Sequence, residues 1–176
     1  MSGWQVSRWL GAVGAGQWTL RALVALMPLA AVLCTLGAGE GPAAWFVVLV
    51  LVLGVGWACF PESAAGATVL VLVLAWWGIG LRDGLDLWAL PASLALPTAH
   101  VAATVASYGP VSMPVDPGLA LLWLRRGLLV LVAAPATYAL ALVVRDAPPV
   151  AGVWLAGAAA VAAAGTAASV LLGGPD

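Results

Sequence analysis

His100 is the residue of this chain best placed to do chemistry by type and position, because it lies within a long apolar segment. An ionisable side chain surrounded by lipid is costly, which makes it a candidate for function. Pro97, three residues earlier, lacks an amide hydrogen and leaves the carbonyl of Ser93 without its helical donor. One interpretation is a proton-carrying or ligand-binding histidine at a proline kink. The other, which we expect, is a structural imidazole that hydrogen-bonds a neighbouring helix or lies near the inner membrane interface.

The spacing between Ser93 and His100 argues against a nucleophile and base acting as a pair. Seven residues place both side chains on one helix face, but two helical turns separate them by about 10 Å. That separation is too long for a hydrogen bond. The sequence therefore predicts no Ser–His dyad unless another helix intervenes.

The other reactive residues match no catalytic or cofactor pattern. A haem held between two histidines needs a second histidine, and this chain has one. The sequence contains neither the HExxH zinc motif nor the GxSxG nucleophile elbow. Cys34 and Cys59 form no CxxC pair, and the seven carboxylates all lie in predicted loops or termini. We therefore predict no catalytic, cofactor-binding or metal-binding residue.

The composition indicates that most of the protein surface faces lipid. Of the 176 residues, 64% are hydrophobic and 7% are charged, whereas soluble domains carry about 25% charged residues. A net charge of -1 leaves no basic surface to attract nucleic acid. Lys and Asn are absent and Ile79 is the single isoleucine, which indicates a GC-rich bacterial genome. We expect an integral protein of the bacterial plasma membrane.

Six apolar segments meet the length of about 20 residues that a helix needs to cross a bilayer. They predict an all-α integral membrane bundle of about six transmembrane helices within residues 18–172, between tails at 1–17 and 173–176. The fourth segment is interrupted by Pro91 and Pro97, and Asp116–Pro117 begins the fifth helix ahead of its span. The predicted spans cover residues 18–38, 43–60, 63–81, 87–107, 127–144 and 148–172.

The arginines predict how the chain is oriented, because cytoplasmic loops carry an excess of basic residues. With the N-terminus inside, Arg82 and Arg145 lie outside, each beside an aspartate, and the other arginines are cytoplasmic. The reverse orientation leaves two inside and four outside. The sequence therefore predicts that the N- and C-termini both lie inside. The four cytoplasmic arginines would be Arg8, Arg21, Arg125 and Arg126.

Arg125 and Arg126 form the strongest charged cluster. Together they could bind a lipid phosphate or an acidic group of a partner. The alternative, which we prefer, is a topology signal whose long side chains reach the membrane surface.

Two predicted helices carry small residues at four-residue spacing, which allows helices to approach closely in a membrane. These stripes either pack this bundle together or form a docking face for another membrane protein. The stripe on the fourth segment is Ala95, Ala99 and Ala103, and that on the sixth is Ala160, Ala164 and Ala168.

Four short motifs follow one another along the chain: Phe60–Pro61–Glu62–Ser63, Trp76–Trp77, the helix from Trp88 to His100, and Trp123–Leu124–Arg125–Arg126. In this order they resemble a group of small actinobacterial multi-pass membrane proteins, often encoded beside MoxR-type AAA+ ATPases. The resemblance covers residues 45–145. It implies an accessory membrane component in assembly or cell-envelope maintenance, and it implies no catalytic residues.

These observations predict a non-enzymatic accessory or scaffold subunit of a membrane complex, without a cofactor. Its partners would be the lipid bilayer and other membrane proteins, contacted through the small-residue faces. The alternative is a small transporter or channel component with a pathway near Pro91, Pro97 and His100. An intramembrane enzyme is the third possibility. A polar cavity enclosed around His100 would favour transport, whereas a dry, alanine-packed interior would favour the scaffold.

The predicted orientation can be tested with reporter fusions. A reporter that is active only outside the plasma membrane should be active when fused after Glu40 and inactive when fused after Glu62, because the arginine distribution places Glu40 outside. The fusions are measured by enzymatic activity, with immunoblots to control for expression. The reverse pattern would show that the N-terminus is outside.

Overall fold

The computed structural model describes residues 14–80, 86–109 and 116–144, and the isolated positions 152, 155, 159, 163 and 166. Every regular element in the three described stretches is an α-helix, which confirms the predicted all-α class. The helices are α1 (Ala15–Gly37), α2 (Ala44–Cys59), α3 (Ala64–Gly80), α4 (Ala89–Ser107) and α5 (Pro117–Val144).

The chain divides into two compact units, Met1–Leu142 and Val143–Asp176. In the second unit, the amide of Leu155 donates to the carbonyl of Gly152 over 3.0 Å, and Gly152 has a φ of 82°. The predicted sixth span, its alanine stripe and the two tails lie largely outside the described residues. All that follows concerns the first unit.

The described helices begin and end close to the predicted spans. The first four predicted spans agree with α1–α4 to within three residues at each end. The fifth helix begins at Pro117, where Asp116 was predicted to precede it, and continues through Arg125 and Arg126. The Asp116 carboxylate accepts a hydrogen bond from the amide of Gly118 over 2.9 Å, as expected of a residue before a helix.

Three of the described helices are long and apolar enough to cross a membrane, namely α1, α4 and α5 up to Val143. The other two, α2 and α3, are also apolar but have 16 and 17 residues. At 1.5 Å per residue they are about 24 and 26 Å long.

Successive helices run antiparallel to one another, as pairs of contacts establish. Along α1 and α2, Arg21 bonds the carbonyls of Ala58 and Cys59, and Ala25 lies against Gly54. Along α2 and α3, the rings of Phe46 and Trp76 stack with centroids 4.5 Å apart and Trp57 covers Gly66. The end of α1 lies beside the start of α4, since Gly37 contacts Trp88. Along α4 and α5, Val101 contacts Gly127 and Tyr108 contacts Trp123, so these two helices are also antiparallel.

This alternation brings one set of helix ends together. We call it the Arg21 end, and it comprises the start of α1, the end of α2, the start of α3, the end of α4 and the start of α5.

The core of the bundle is the face that α4 presents to α1, and it is built largely from alanines. Ala95, Ala99 and Ala103 are at most 8% exposed, and they belong to one apolar cluster with Val24 and Val32 of α1. Their small side chains let the two helix backbones approach closely. The alanine stripe predicted on the fourth helix therefore packs this bundle internally.

The predicted interruption of the fourth segment is wrong, because α4 runs unbroken through both prolines. Pro91 lies in the first turn, where its missing amide hydrogen has no helical partner to lose. Pro97 lies inside the helix, and packing against neighbouring helices keeps such a proline helical in a membrane protein. Beside it, the Thr98 hydroxyl donates to the carbonyl of Leu94 over 2.7 Å.

Gly54 marks the closest approach of α1 and α2. A Cβ atom at this position would lie 2.9 Å from the carbonyl oxygen of Ala25, which is backbone and cannot move aside. At Gly56, two residues later in the same helix, no atom lies within 4 Å of an added Cβ. The first glycine is therefore required by packing and the second is not.

The Gly54→Ala substitution should lower stability by about 1–3 kcal/mol, because the extra methyl group forces α1 and α2 apart. Gly56→Ala is the matched control and should leave stability unchanged or raise it, since alanine favours helix. Both are measured as apparent melting temperatures of the detergent-purified protein. Equal effects of the two substitutions would contradict the described contact of α1 with α2.

Candidate functional site

His100 lies in an open groove of about 350 Å³ between α3 and α4, at the Arg21 end. We call it the α3–α4 groove. Each wall is formed by one helix face, since both sets of lining residues follow the spacing i, i+3, i+4 and i+7. Trp57 of α2 and the turn residues Pro61 and Glu62 also line the groove. The wall residues are Ser63, Gly66, Ala67 and Leu70 on one side and His100, Ala103, Thr104 and Ser107 on the other.

Trp57 keeps α3 in place beside the groove. Its indole nitrogen donates to the carbonyl of Pro61 over 3.2 Å, which fixes the turn between α2 and α3. Its ring lies directly on the backbone of Gly66, where a Cβ would collide with it. The glycine therefore brings the indole into contact with α3, and the groove lies beyond that contact.

The hydroxyl groups in the α4 wall are bonded within their own helix. Thr104 donates to the carbonyl of His100 over 2.9 Å, and Ser107 donates to the carbonyl of Thr104 over 2.8 Å. These bonds satisfy the hydroxyl hydrogens without help from another helix. The α4 wall therefore has one side chain, His100, that still needs a hydrogen-bond partner.

Three polar groups of the groove have no partner in the described part of the chain. The His100 imidazole is exposed and makes no hydrogen bond there, so the expected bond to a neighbouring described helix is not formed. The Ser63 hydroxyl oxygen is shielded from solvent and also unbonded. The Glu62 carboxylate is exposed and unpaired.

Ser93 does not share this site. Its hydroxyl donates to the carbonyl of Leu90 over 2.8 Å, and the residue is not among those that line the groove.

Arg21 closes the end of α2 beside the groove. Its Nη1 atom donates to the carbonyls of Ala58 and, over 3.2 Å, of Cys59. These are carbonyls that the end of a helix leaves without intrahelical donors, and a cation at that end also complements the helix dipole. From the sequence, Arg21 was expected to act only as a topology signal. Its position in the chain could have indicated this contact. When the first two helices are antiparallel, Arg21 near the start of α1 lies opposite the end of α2, which the Phe60–Pro61 break marks.

A second cavity of about 300 Å³ adjoins the groove, and Pro61, Glu62 and Ser107 line both. We call it the Arg21 pocket. Its remaining lining residues are Arg21, Cys59, Phe60, Ala106 and Gly109.

The other predicted site residues lie apart from His100. Pro97 is half-buried on α4 and does not line the groove. The guanidinium carbon of Arg126 lies 5.6 Å from the ring centroid of Trp123, a cation–π contact. Arg125 is exposed and has no partner in the described stretches. No group of three potential metal ligands occurs within those stretches either.

Compared with known protein families, curated proteins and solved structures, the chain matches none of them.

Replacing Arg21 should destabilise the protein, whereas replacing Arg125 should not. Arg21→Met leaves two carbonyls at the end of α2 without donors, which costs about 1–2 kcal/mol. Arg125→Met removes the same charge from a side chain without partners. Apparent melting temperatures of the two variants in one detergent measure the difference. A similar loss in both would show that net charge matters and the contact with α2 does not.

Proposed function

We propose that this chain is a non-enzymatic accessory subunit of a membrane complex, and that the α3–α4 groove receives a transmembrane helix of a partner protein. The full bundle in this proposal has about six transmembrane helices, with both termini inside. The observation that supports it is the position of His100, which lies exposed in a lateral groove of an otherwise apolar bundle, without a partner among the described residues.

The surroundings of His100 make an unfilled groove unfavourable in a membrane. Exposed residues elsewhere on α2 and α3 are mainly large and apolar, such as Val52, Val71 and Leu74, at 60–64% exposed. These side chains suit lipid. An imidazole that faced lipid without a partner would lose its hydrogen bonds to water and gain none in return.

A partner helix can supply what lipid does not. Ala67 on the α3 wall is small and exposed, so a second backbone can approach α3 closely at this position. At that distance, a polar side chain of the partner can bond the imidazole of His100 and the hydroxyl of Ser63. We therefore propose a partner helix with small residues on one face and a hydrogen-bonding side chain at the level of His100.

The small transporter or channel component, with a pathway near Pro91, Pro97 and His100, is the second candidate. One observation favours it, since His100 and Glu62 are two titratable groups that line the same groove. The packing of the interior argues against it. Ala99 is fully buried, as are the valines of the α1–α4 core, and the groove opens to the side of the bundle.

The Ala67→Leu substitution should reduce recovery of the partner at least tenfold, because a leucine in the α3 wall blocks close helix approach. Ala75→Leu is the matched control, since Ala75 is also exposed on α3 but lies outside the groove. A photo-crosslinking residue at each of the two positions identifies what lies there, by mass spectrometry of the adduct. The adduct from position 67 should contain one transmembrane segment of a different protein.

Three results would contradict the proposal. Crosslinking from position 67 to lipid alone would show that the groove is not a helix site. An adduct with a second copy of this chain would replace the accessory subunit with a self-association. Transport of a solute by the purified protein in liposomes, abolished by His100→Ala, would favour the second candidate.

A further inference from the structure

We propose that the Arg21 pocket binds the headgroup of phosphatidylethanolamine, with the lipid phosphate at Arg21 and the ammonium group at Glu62 and Ser107. This site is separate from the partner-helix groove, although Glu62 and Ser107 also line that groove.

The pocket holds a cation and an anion that do not neutralise each other. Arg21 and Glu62 both line it, yet no ion pair joins these two described residues. Nη1 of Arg21 donates instead to the carbonyls of Ala58 and Cys59. The guanidinium is therefore held at the end of α2, and its Nη2 atom donates to no group among the described residues.

A zwitterionic headgroup matches this separation of charge. A guanidinium binds phosphate oxygens through charge-assisted hydrogen bonds, and Nη2 offers donors for that purpose. A carboxylate binds a primary ammonium in the same way. The Ser107 hydroxyl donates to the Thr104 carbonyl, so its oxygen remains free to accept a hydrogen bond from the ammonium group.

The position of the pocket along the helices matches the depth of lipid headgroups in a bilayer. It lies at the Arg21 end, where helices end and where Tyr108 and Trp123 meet with ring centroids 6.0 Å apart. Such aromatic residues are enriched at the membrane–water interface. Phe60, at the rim of the pocket, is 70% exposed and offers apolar surface to the acyl chains.

The same chemistry predicts selectivity among phospholipids. The choline group of phosphatidylcholine carries no N–H donor, so it cannot bond Glu62 or Ser107. Phosphatidylglycerol carries no cation, so Glu62 repels its headgroup. We therefore expect phosphatidylethanolamine to bind about tenfold more tightly than phosphatidylcholine, the difference that one charge-assisted hydrogen bond makes.

The test uses the full chain, purified in detergent and stripped of lipid. Dioleoyl forms of phosphatidylethanolamine, phosphatidylcholine and phosphatidylglycerol are added at equal concentrations, and bound lipid is counted by native mass spectrometry. Glu62→Gln should abolish the preference for ethanolamine over choline and increase binding of phosphatidylglycerol. Ser107→Ala should weaken the preference partly. Glu40→Gln, the same change in an exposed glutamate outside this pocket, should leave it unaltered.

Several outcomes would overturn the proposal. Equal binding of the three lipids to the unmodified protein would do so, as would a preference that survives Glu62→Gln or that disappears equally in Glu40→Gln.

Phosphoethanolamine is the same headgroup without acyl chains. It is added as a soluble competitor, so that binding of the lipid can be distinguished from binding of the free headgroup. The acyl chains should make the lipid bind far more tightly, and equally tight binding of the soluble compound would overturn the lipid assignment. Because none of these readouts involves a partner protein, they succeed or fail independently of the proposed accessory role.

Discussion

Carbonyl groups at the end of a helix have no donors within that helix, and lipid provides none. In this bundle, side chains from neighbouring elements supply them. Arg21 reaches from α1 to the carbonyls of Ala58 and Cys59, and Trp57 donates to Pro61 in the turn that follows. Trp77 of α3 also donates to a carbonyl inside α1, that of Ala31, over 3.0 Å. These bonds set the register of α1, α2 and α3, and both cavities depend on that register.

The sequence was sufficient to predict the helices, because apolar length and the residues that end helices are local properties. Asp116 before Pro117 is an example, since the cap and the start of α5 were both expected and are both present. The continuity of α4 could not be predicted in this way. A proline favours a break in an isolated helix. The contact between α4 and α1 that keeps α4 continuous is tertiary, so the sequence around Pro97 does not reveal it. The number of spans and the orientation of the chain remain predictions.

The candidate site was predictable in part. His100 was identified by residue type and depth alone, and it does line a cavity. The opposite wall could not be predicted, because it depends on how α3 is rotated and on the contact of Trp57 with Gly66. Ser63 and Glu62 were noted only within the Phe60–Pro61–Glu62–Ser63 motif for the same reason. Pro97 was linked to His100 by its place in the chain, and Arg125 and Arg126 were a separate charged cluster. None of these three residues lines the α3–α4 groove.

If α2 and α3 cross the bilayer, as the sequence predicts, their short length has a consequence for the surrounding lipid. Helices of about 24 and 26 Å do not match a hydrocarbon core of about 30 Å. A bilayer adapts to such a hydrophobic mismatch by thinning locally, at a cost of a fraction of a kcal/mol per Å. The much longer α5, with 28 residues, requires no such thinning. Any deformation of the bilayer would therefore be confined to one flank of the molecule, and α3, which forms one wall of the α3–α4 groove, belongs to that flank. A neighbouring helix with an equally short apolar length would share the deformed lipid, which favours its association with that side.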